Sequence, residues 1–246
     1  MRHQRRGAED ASDLRFDIRE SPRTDQNGQL PLPIVRTTDE VQTKRRIIEA
    51  ALYEFEQKGY QGASLRQIVK NAGVTTGAFY GYYSSKAELF EGIVGVHYDA
   101  MMQHYTDVQE SFAIKEFDEQ KADMADVSRD CMHWMLNYAY EHLREVRIMF
   151  MKSEGTRFSD FVDRLVEIEV ESTENFKVDL HNDMKEAAQE FLNIDYRFEH
   201  IMATGMFNAF RELIVHEMTY SEAKVQLELI RRFYTAGWQE LFGDIF

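Results

Sequence analysis

Residues 73–86 read GVTTGAFYGYYSSK. Phe79, Tyr80, Tyr82 and Tyr83 crowd into five positions, interrupted by Gly81 and preceded by Thr75, Thr76 and Gly77; Ser84, Ser85 and Lys86 follow. The rings favour burial, whereas the small and hydroxyl-bearing neighbours suit a surface. The segment is therefore core, aromatic loop or contact face, and the flanking sequence decides which.

Upstream, Ser64-Leu65-Arg66-Gln67 has the form of a capping box. Leu65, Ile68, Val69 and Ala72 follow as an apolar face, and Gly73 is a stop signal. Downstream, Ser85-Lys86-Ala87-Glu88 is another capping box, opening a longer helix along Leu89, Ile93, Val96 and Ala100. Between the boxes there is room for one short helix, starting near Thr75 or Thr76. A longer helix precedes both: Thr37-Thr38-Asp39-Glu40 is a third box, Ile48, Ala51, Leu52 and Phe55 share one face, and Gly59 ends it. A short helix, a glycine turn and a second short helix are the parts of a helix-turn-helix. Phe79 and Tyr83, one turn apart beside Val74, are expected to face inward.

The chain divides into three segments. Residues 1–36 hold all three prolines, carry balanced charge and show no periodicity, which predicts a disordered N-terminal arm: either a solvated tail or a basic arm using Arg2, Arg5 and Arg6. The segment does not read as a secretory signal, because no apolar run follows its basic start. Residues 37–90 form the helix-turn-helix segment. Residues 91–246 carry several further amphipathic helices with no strand pattern, so the fold class is all-α. No run approaches the roughly 18 apolar residues of a membrane span. The lone Cys131 precludes an intrachain disulfide and fits a cytoplasmic setting.

The net charge of −14 argues against a polyanionic partner until it is divided along the chain. Residues 36–90 hold eight Lys/Arg against six Asp/Glu, whereas residues beyond 90 hold 15 against 31. Fields are screened within about 8 Å at physiological salt. An acidic C-terminal segment therefore leaves a mildly basic head free to approach phosphates.

Residues 43–90 carry a dense, ordered resemblance to the DNA-binding domain of TetR/AcrR-family transcriptional regulators. It runs through Arg46-Ile47-Ile48, Ala50-Ala51, Phe55, Gly59-Tyr60, Ser64-Leu65, Ile68, Ala72-Gly73-Val74-Thr75, Gly77, Phe79-Tyr80, Tyr83, Ser85-Lys86 and Leu89-Phe90. The resemblance implies a three-helix DNA-binding domain joined to a helical ligand-binding and dimerisation domain. It implies a homodimer on a pseudo-palindromic double-stranded DNA operator, most often a repressor, released by a small-molecule effector. It assigns DNA contacts to Ser64, Arg66, Thr75, Thr76, Gly77, Ala78, Tyr80, Tyr82 and Lys86. The physics of a helix in the major groove agrees: small residues permit close approach and hydroxyls bond phosphates. Arg66 either reads guanine or positions the backbone, and Thr75 serves as cap, contact or both. Gly81 departs from the family, which often has a larger residue there, and Tyr83 replaces a phenylalanine.

The C-terminal segment resembles the family only in length and helicity. Trp134, Met135, Tyr138, Met149, Phe150 and Phe161 either line an apolar effector pocket or form ordinary core. Gly205, Ala209, Phe210, Leu213, Phe233, Tyr234 and Trp238 on the last two helices suit a dimer interface or intrachain packing. His97 and His104 share a helix face but have no clustered third ligand, so no metal and no cofactor is expected. No catalytic motif is present, so an enzyme is not expected. The alternative to a ligand-responsive regulator is a ligand-binding or interaction protein with a weakened DNA-binding head.

Overall fold

The computed structural model describes residues 38–183 and 194–242, with side chains over 38–178 and 194–241. The expected arm at residues 1–36, and Thr37 of the first capping box, lie outside the described residues. Residues 1–40 and 41–246 belong to separate units. All regular structure among the described residues is helical.

Helix α1 spans Thr38–Gly62 and buries Ile47, Ala51, Leu52 and Phe55. Gly59, at φ 68° and ψ 173°, breaks its helical path in a conformation that strains any residue with a Cβ. Helix α2 (Leu65–Ala72) is capped by Ser64, whose Oγ accepts from Gln67 N–H. The other half of the box differs from expectation. Gln67 Nε2 donates to Asn71, and the buried Glu54 of α1 instead accepts from Ser64 N–H at 3.1 Å. The same Glu54 oxygen takes Lys58 Nζ at 2.9 Å, so the cap of α2 is held by α1.

Gly73 ends α2 in the left-handed conformation (φ 63°, ψ 37°), with its own N–H and that of Val74 returning to Lys70 O and Val69 O. Helix α3 (Thr76–Tyr80) follows, capped by Thr75 Oγ1 accepting from Ala78 N–H. Phe79 and Tyr83 are buried in the common core. Helix α4 (Lys86–Phe90) is capped by Ser85 Oγ accepting from Glu88 N–H, while the Glu88 carboxylate reaches Ser84 rather than Ser85.

Residues Glu91–Gly95 form a π-helical turn leading into α5 (Val96–Ala113). This turn corrects the expected apolar face. The wide turn rotates the start of α5, so His97, Tyr98 and Met101 are buried while Val96 is exposed. A uniform 3.6-residue period does not anticipate that rotation.

The rest is helix on helix: α6 (Phe117–Glu141), α7 (Leu143–Lys152), α8 (Phe161–Asp183), α9 (Tyr196–Val215) and α10 (Tyr220–Phe242). Helix α5 packs on α6 and α8, α8 on α9, and α10 on α6 and α9. Polar ties fix these contacts. Arg147 of α7 donates to Ile214 O (2.7 Å) and His216 O (2.8 Å), closing the carbonyl end of α9. Lys177 of α8 and Glu199 of α9 form a buried ion pair. Arg144 of α7 forks onto Glu56 of α1 and also reaches Glu49 at 2.8 Å, tying the first helix to the C-terminal helices.

Candidate nucleic-acid interface and ligand cavity

Helix α3 presents one face outward and one inward, and the division follows residue type. Thr75, Thr76, Gly77, Ala78 and Gly81 are exposed, and Tyr80 is 53% exposed despite its ring. Phe79 meets Tyr80 edge-on at 5.5 Å and lies 5.9 Å from Tyr83, so the buried rings brace the exposed one. Tyr82 is half-buried against the core. Ser64 and Arg66 on α2, which packs on α3, are also exposed.

Lys86 is placed differently from the expectation that it meets a phosphate. Its ammonium donates to Tyr60 O (2.7 Å), Ala63 O (3.0 Å) and Gln61 O (3.3 Å), and sits 4.7 Å above the Tyr60 ring. An ammonium has three donors, and here all three go to carbonyls at the end of α1. Lys86 thus ties α4 to α1.

Gly81 is equally informative. Its backbone is ordinary right-handed helix (φ −74°, ψ −18°), and a Cβ built there would approach only Ala78 O, at 3.3 Å. Nothing in the conformation demands a glycine. The structure offers no account of its absence of side chain, beyond keeping that end of α3 slim.

One basic feature was not anticipated from the sequence. A shallow groove of about 530 Å³ is lined by Arg45 and Arg46 of α1 together with Tyr53 and Asn71. The Arg46 guanidinium lies beside the Gly73 turn, 3.8 Å from where a Cβ on Gly73 would be. The run Lys44-Arg45-Arg46 was visible in the sequence, but no motif spacing links it to a turn 27 positions later.

In the C-terminal helices the expected pocket residues do not line the cavity. Met135, Met149 and Phe161 are fully buried core. Phe150 packs edge-on against Phe161. Trp134 is stacked between His104 at 3.7 Å and Tyr138 at 5.1 Å. Tyr138 Oη meets His97 Nδ1 at 3.1 Å, and burial with the nearby His142 pushes His97 down to about 4. His97 and His104 therefore have separate ring partners. No group of three potential ligands among the described residues could hold a metal.

A cavity of about 280 Å³ opens elsewhere, between α5, α6, α8, α9 and α10. Met124, Met132 and Met206 supply thioethers, and Phe176, Tyr234 and Trp238 supply rings. Its residues come from five helices, which is why no local pattern marked it.

Of the residues expected at an interface or in intrachain packing, most pack within this chain. Tyr234 and Trp238 line the cavity, while Phe210 and Leu213 are buried within the protomer. Gly205 admits Tyr234, whose Oη would stand 2.7 Å from any Cβ there. Ala209 is half-buried, and of the seven only Phe233 is prominently exposed, at 76%. It continues a stripe with Val225 (58%) and Leu229 (50%) on α10, and Ile201 (63%) is exposed on α9.

No described helix is long and apolar enough to cross a membrane. Residues 47–93 match the family model described as bacterial regulatory proteins, tetR family. A probable HTH-type transcriptional regulator of Bacillus subtilis, YttP, is 27% identical over 110 residues, 45% of this chain and 50% of YttP. The HTH-type transcriptional regulator AcrR of Shigella flexneri is 42% identical over 59 residues, 24% of this chain and 27% of AcrR. The matches thus span half or less of these relatives. The crystal structure of NalD, the secondary repressor of the MexAB-OprM multidrug efflux pump in Pseudomonas aeruginosa, aligns with a TM-score of 0.47 and 20% identity over 80% of this chain and 97% of NalD. Residues 47–93 thus carry a helix-turn-helix of the tetR family of bacterial regulatory proteins.

Proposed function

We propose that the chain is a one-component DNA-binding regulator, a repressor in the first instance, that holds a pseudo-palindromic operator as a homodimer and releases it on binding a small molecule. The observation that carries this reading is the outward face of α3, where small and hydroxyl residues stand clear of a ring-braced core. Small residues let the helix approach base edges, and the hydroxyls of Thr75, Thr76 and Tyr80 bond phosphate or base without adding charge. Ser64 and Arg66 extend the footprint from α2, and Tyr82 contributes from its half-buried position. Arg45 and Arg46 add the positive charge that the short helix lacks. Lys86 acts by fixing α4 to α1 and so setting the angle of α3.

The exposed stripe Val225, Leu229 and Phe233 on α10 supports the homodimer, since large contiguous apolar patches mark association surfaces. The 280 Å³ cavity supports the effector. Because α7 holds α1 through Arg144, a ligand that shifts the C-terminal helices would alter the spacing of two heads and lower operator affinity by linkage.

Footprinting on DNA upstream of the chain's own gene tests the reading. Protection of two half-sites at moderate salt is expected; an unprotected fragment there would overturn it. A second reading, a ligand-binding or interaction protein with a weakened head, draws on Gly81 and on the inward commitment of Lys86. It predicts that cellular function survives Thr76→Ala combined with Tyr80→Ala, which remove the outward contacts.

A further inference from the structure

The cavity wall is apolar except at a few places, and one of them is out of balance. Glu169 of α8 lines it, with Oε2 accepting from Gln109 Nε2 at 3.0 Å and from the Tyr105 hydroxyl. Both neutral donors go to one carboxylate oxygen and leave the group's charge unbalanced. Among the described residues no Lys, Arg or His forms an ion pair with Glu169. The two cations of the same wall are elsewhere: Arg231 forks onto Glu228, and Lys121 forms no ion pair among the described residues. Burial raises the Glu169 carboxyl above its usual range, and the Tyr105 and Gln109 donors pull it partly back. A half-buried acid without a counter-ion, beside a cavity faced with the rings of Phe176, Tyr234 and Trp238, is incomplete as it stands.

We propose that this cavity takes an organic monocation with a compact apolar body, with Glu169 as its counter-ion and the rings and thioethers around its body. Aromatic faces attract cations, most strongly where water is excluded, and Met side chains adapt to irregular apolar shapes. An anionic ligand would meet that carboxylate, with Lys121 on the same wall as its counterweight, so the anionic probe below decides between the two charges. The volume of about 280 Å³ suits a small ligand, at the lower edge of the roughly 300–1,000 Å³ of ligand pockets. The assignment rests on the reading of this cavity as the effector site and names the chemistry of that effector.

The test uses the full chain and three probes of similar size: benzyltrimethylammonium, its neutral carbon isostere neopentylbenzene, and the anion 4-phenylbutyrate. Affinities are measured by calorimetry at pH 8, with operator retention followed in parallel. The ammonium should bind at least tenfold tighter than either of the others. Glu169→Gln should cut ammonium affinity about tenfold or more while leaving the neutral probe within about twofold. Ammonium affinity should also fall as acid protonates Glu169. The variant should melt no lower than the parent at pH 8, because it removes a charge that the unliganded protein does not balance. Should it nevertheless misfold, Trp238→Leu should weaken the ammonium more than the neutral isostere. Equal losses for both probes would mean a structural role and overturn the assignment. Tighter binding of the carboxylate, with operator release, would overturn the charge assignment yet keep the cavity as effector site. Binding of none of the three would overturn the assignment, and continued operator retention would show that the DNA-binding reading stands apart from it.

Discussion

The head and the C-terminal helices solve the same problem, placing polar groups next to a core, by opposite routes. In the head the helix caps act locally: Ser64, Thr75 and Ser85 cap helices of five to eight residues and Gly73 turns the chain between two of them, with Glu54 and Lys86 as the longer ties. In the C-terminal helices the polar groups act at long range: Tyr105 and Gln109 reach Glu169, Lys177 reaches Glu199, and Arg147 reaches the end of α9. Local solutions leave a signature in consecutive residues and long-range ones do not. The head is therefore the part whose geometry tolerates least change in sequence spacing, and the C-terminal region the part whose chemistry depends on single distant partners.

The largest effects should test those distant partners and the head's single anchor together. Phe79→Ala removes the ring under α3 and should cost about 3–5 kcal/mol, unfolding the head and abolishing DNA binding, as read by denaturant titration and anisotropy. Lys177→Met strands the Glu199 carboxylate in a buried setting and should cost about 3–5 kcal/mol at pH 8. That penalty depends on pH. With Lys177 in place burial already holds the Glu199 carboxyl up at about 6 against 4.5 for the unfolded chain, and losing the lysine, which pulls it down, raises it further, so the folded variant takes up a proton before the unfolded one. Neutralised, the stranded group costs less, so the penalty should shrink between pH 8 and pH 5. A pH-independent penalty would contradict the ion pair's role.

Next in size is Lys86→Met. If the ammonium ties α4 to α1, stability falls by about 1.5–3 kcal/mol, the scale of hydrogen bonds to a charged group, and operator affinity falls with it. A variant that keeps its stability but loses affinity would return Lys86 to the phosphate. Gly73→Ala should cost about 1–2 kcal/mol, because a Cβ opposes the left-handed turn. The smallest effect is also the most instructive. Gly81→Arg should slightly stabilise the helical end and strengthen DNA binding, with a salt slope steeper by about 0.9 for one added phosphate contact. An unchanged slope would place residue 81 away from the backbone.

The same division between local and distant partners governs what is legible in the sequence. The extent of α2 and α3, the turn at Gly73 and the inward Phe79 and Tyr83 were legible, since each depends on neighbours within four residues. The apolar face of α5 was misread at Val96, because one π-helical turn shifts the register and nothing in Glu91–Gly95 declares it. The two boxes among the described residues, at Ser64 and Ser85, are N-caps as expected but differ in their second halves, where Glu54 and Ser84 take places expected of other groups. Trp134 and Met135 suggested a pocket by residue type alone, yet type does not distinguish a cavity wall from core. Glu169 carried no local signal: its meaning comes from Tyr105 and Gln109, some 60 positions earlier. Tyr234 and Trp238 were noticed for their apolar area and assigned to an interface, because the close approach at Gly205 is invisible without the packing of α10 on α9.

On the proposed reading the exposed face of α3 docks in the major groove of a two-fold operator. Footprinting of the full chain on the DNA upstream of its own gene, with Thr76→Ala/Tyr80→Ala as the comparison, tests it most directly. Two protected half-sites are expected whose centres lie a whole number of helical turns apart, roughly 34–36 Å or a multiple, with both lost in the double variant while its melting temperature is kept. A footprint that survives the double variant unchanged, or an unprotected fragment with the parent chain, would contradict it.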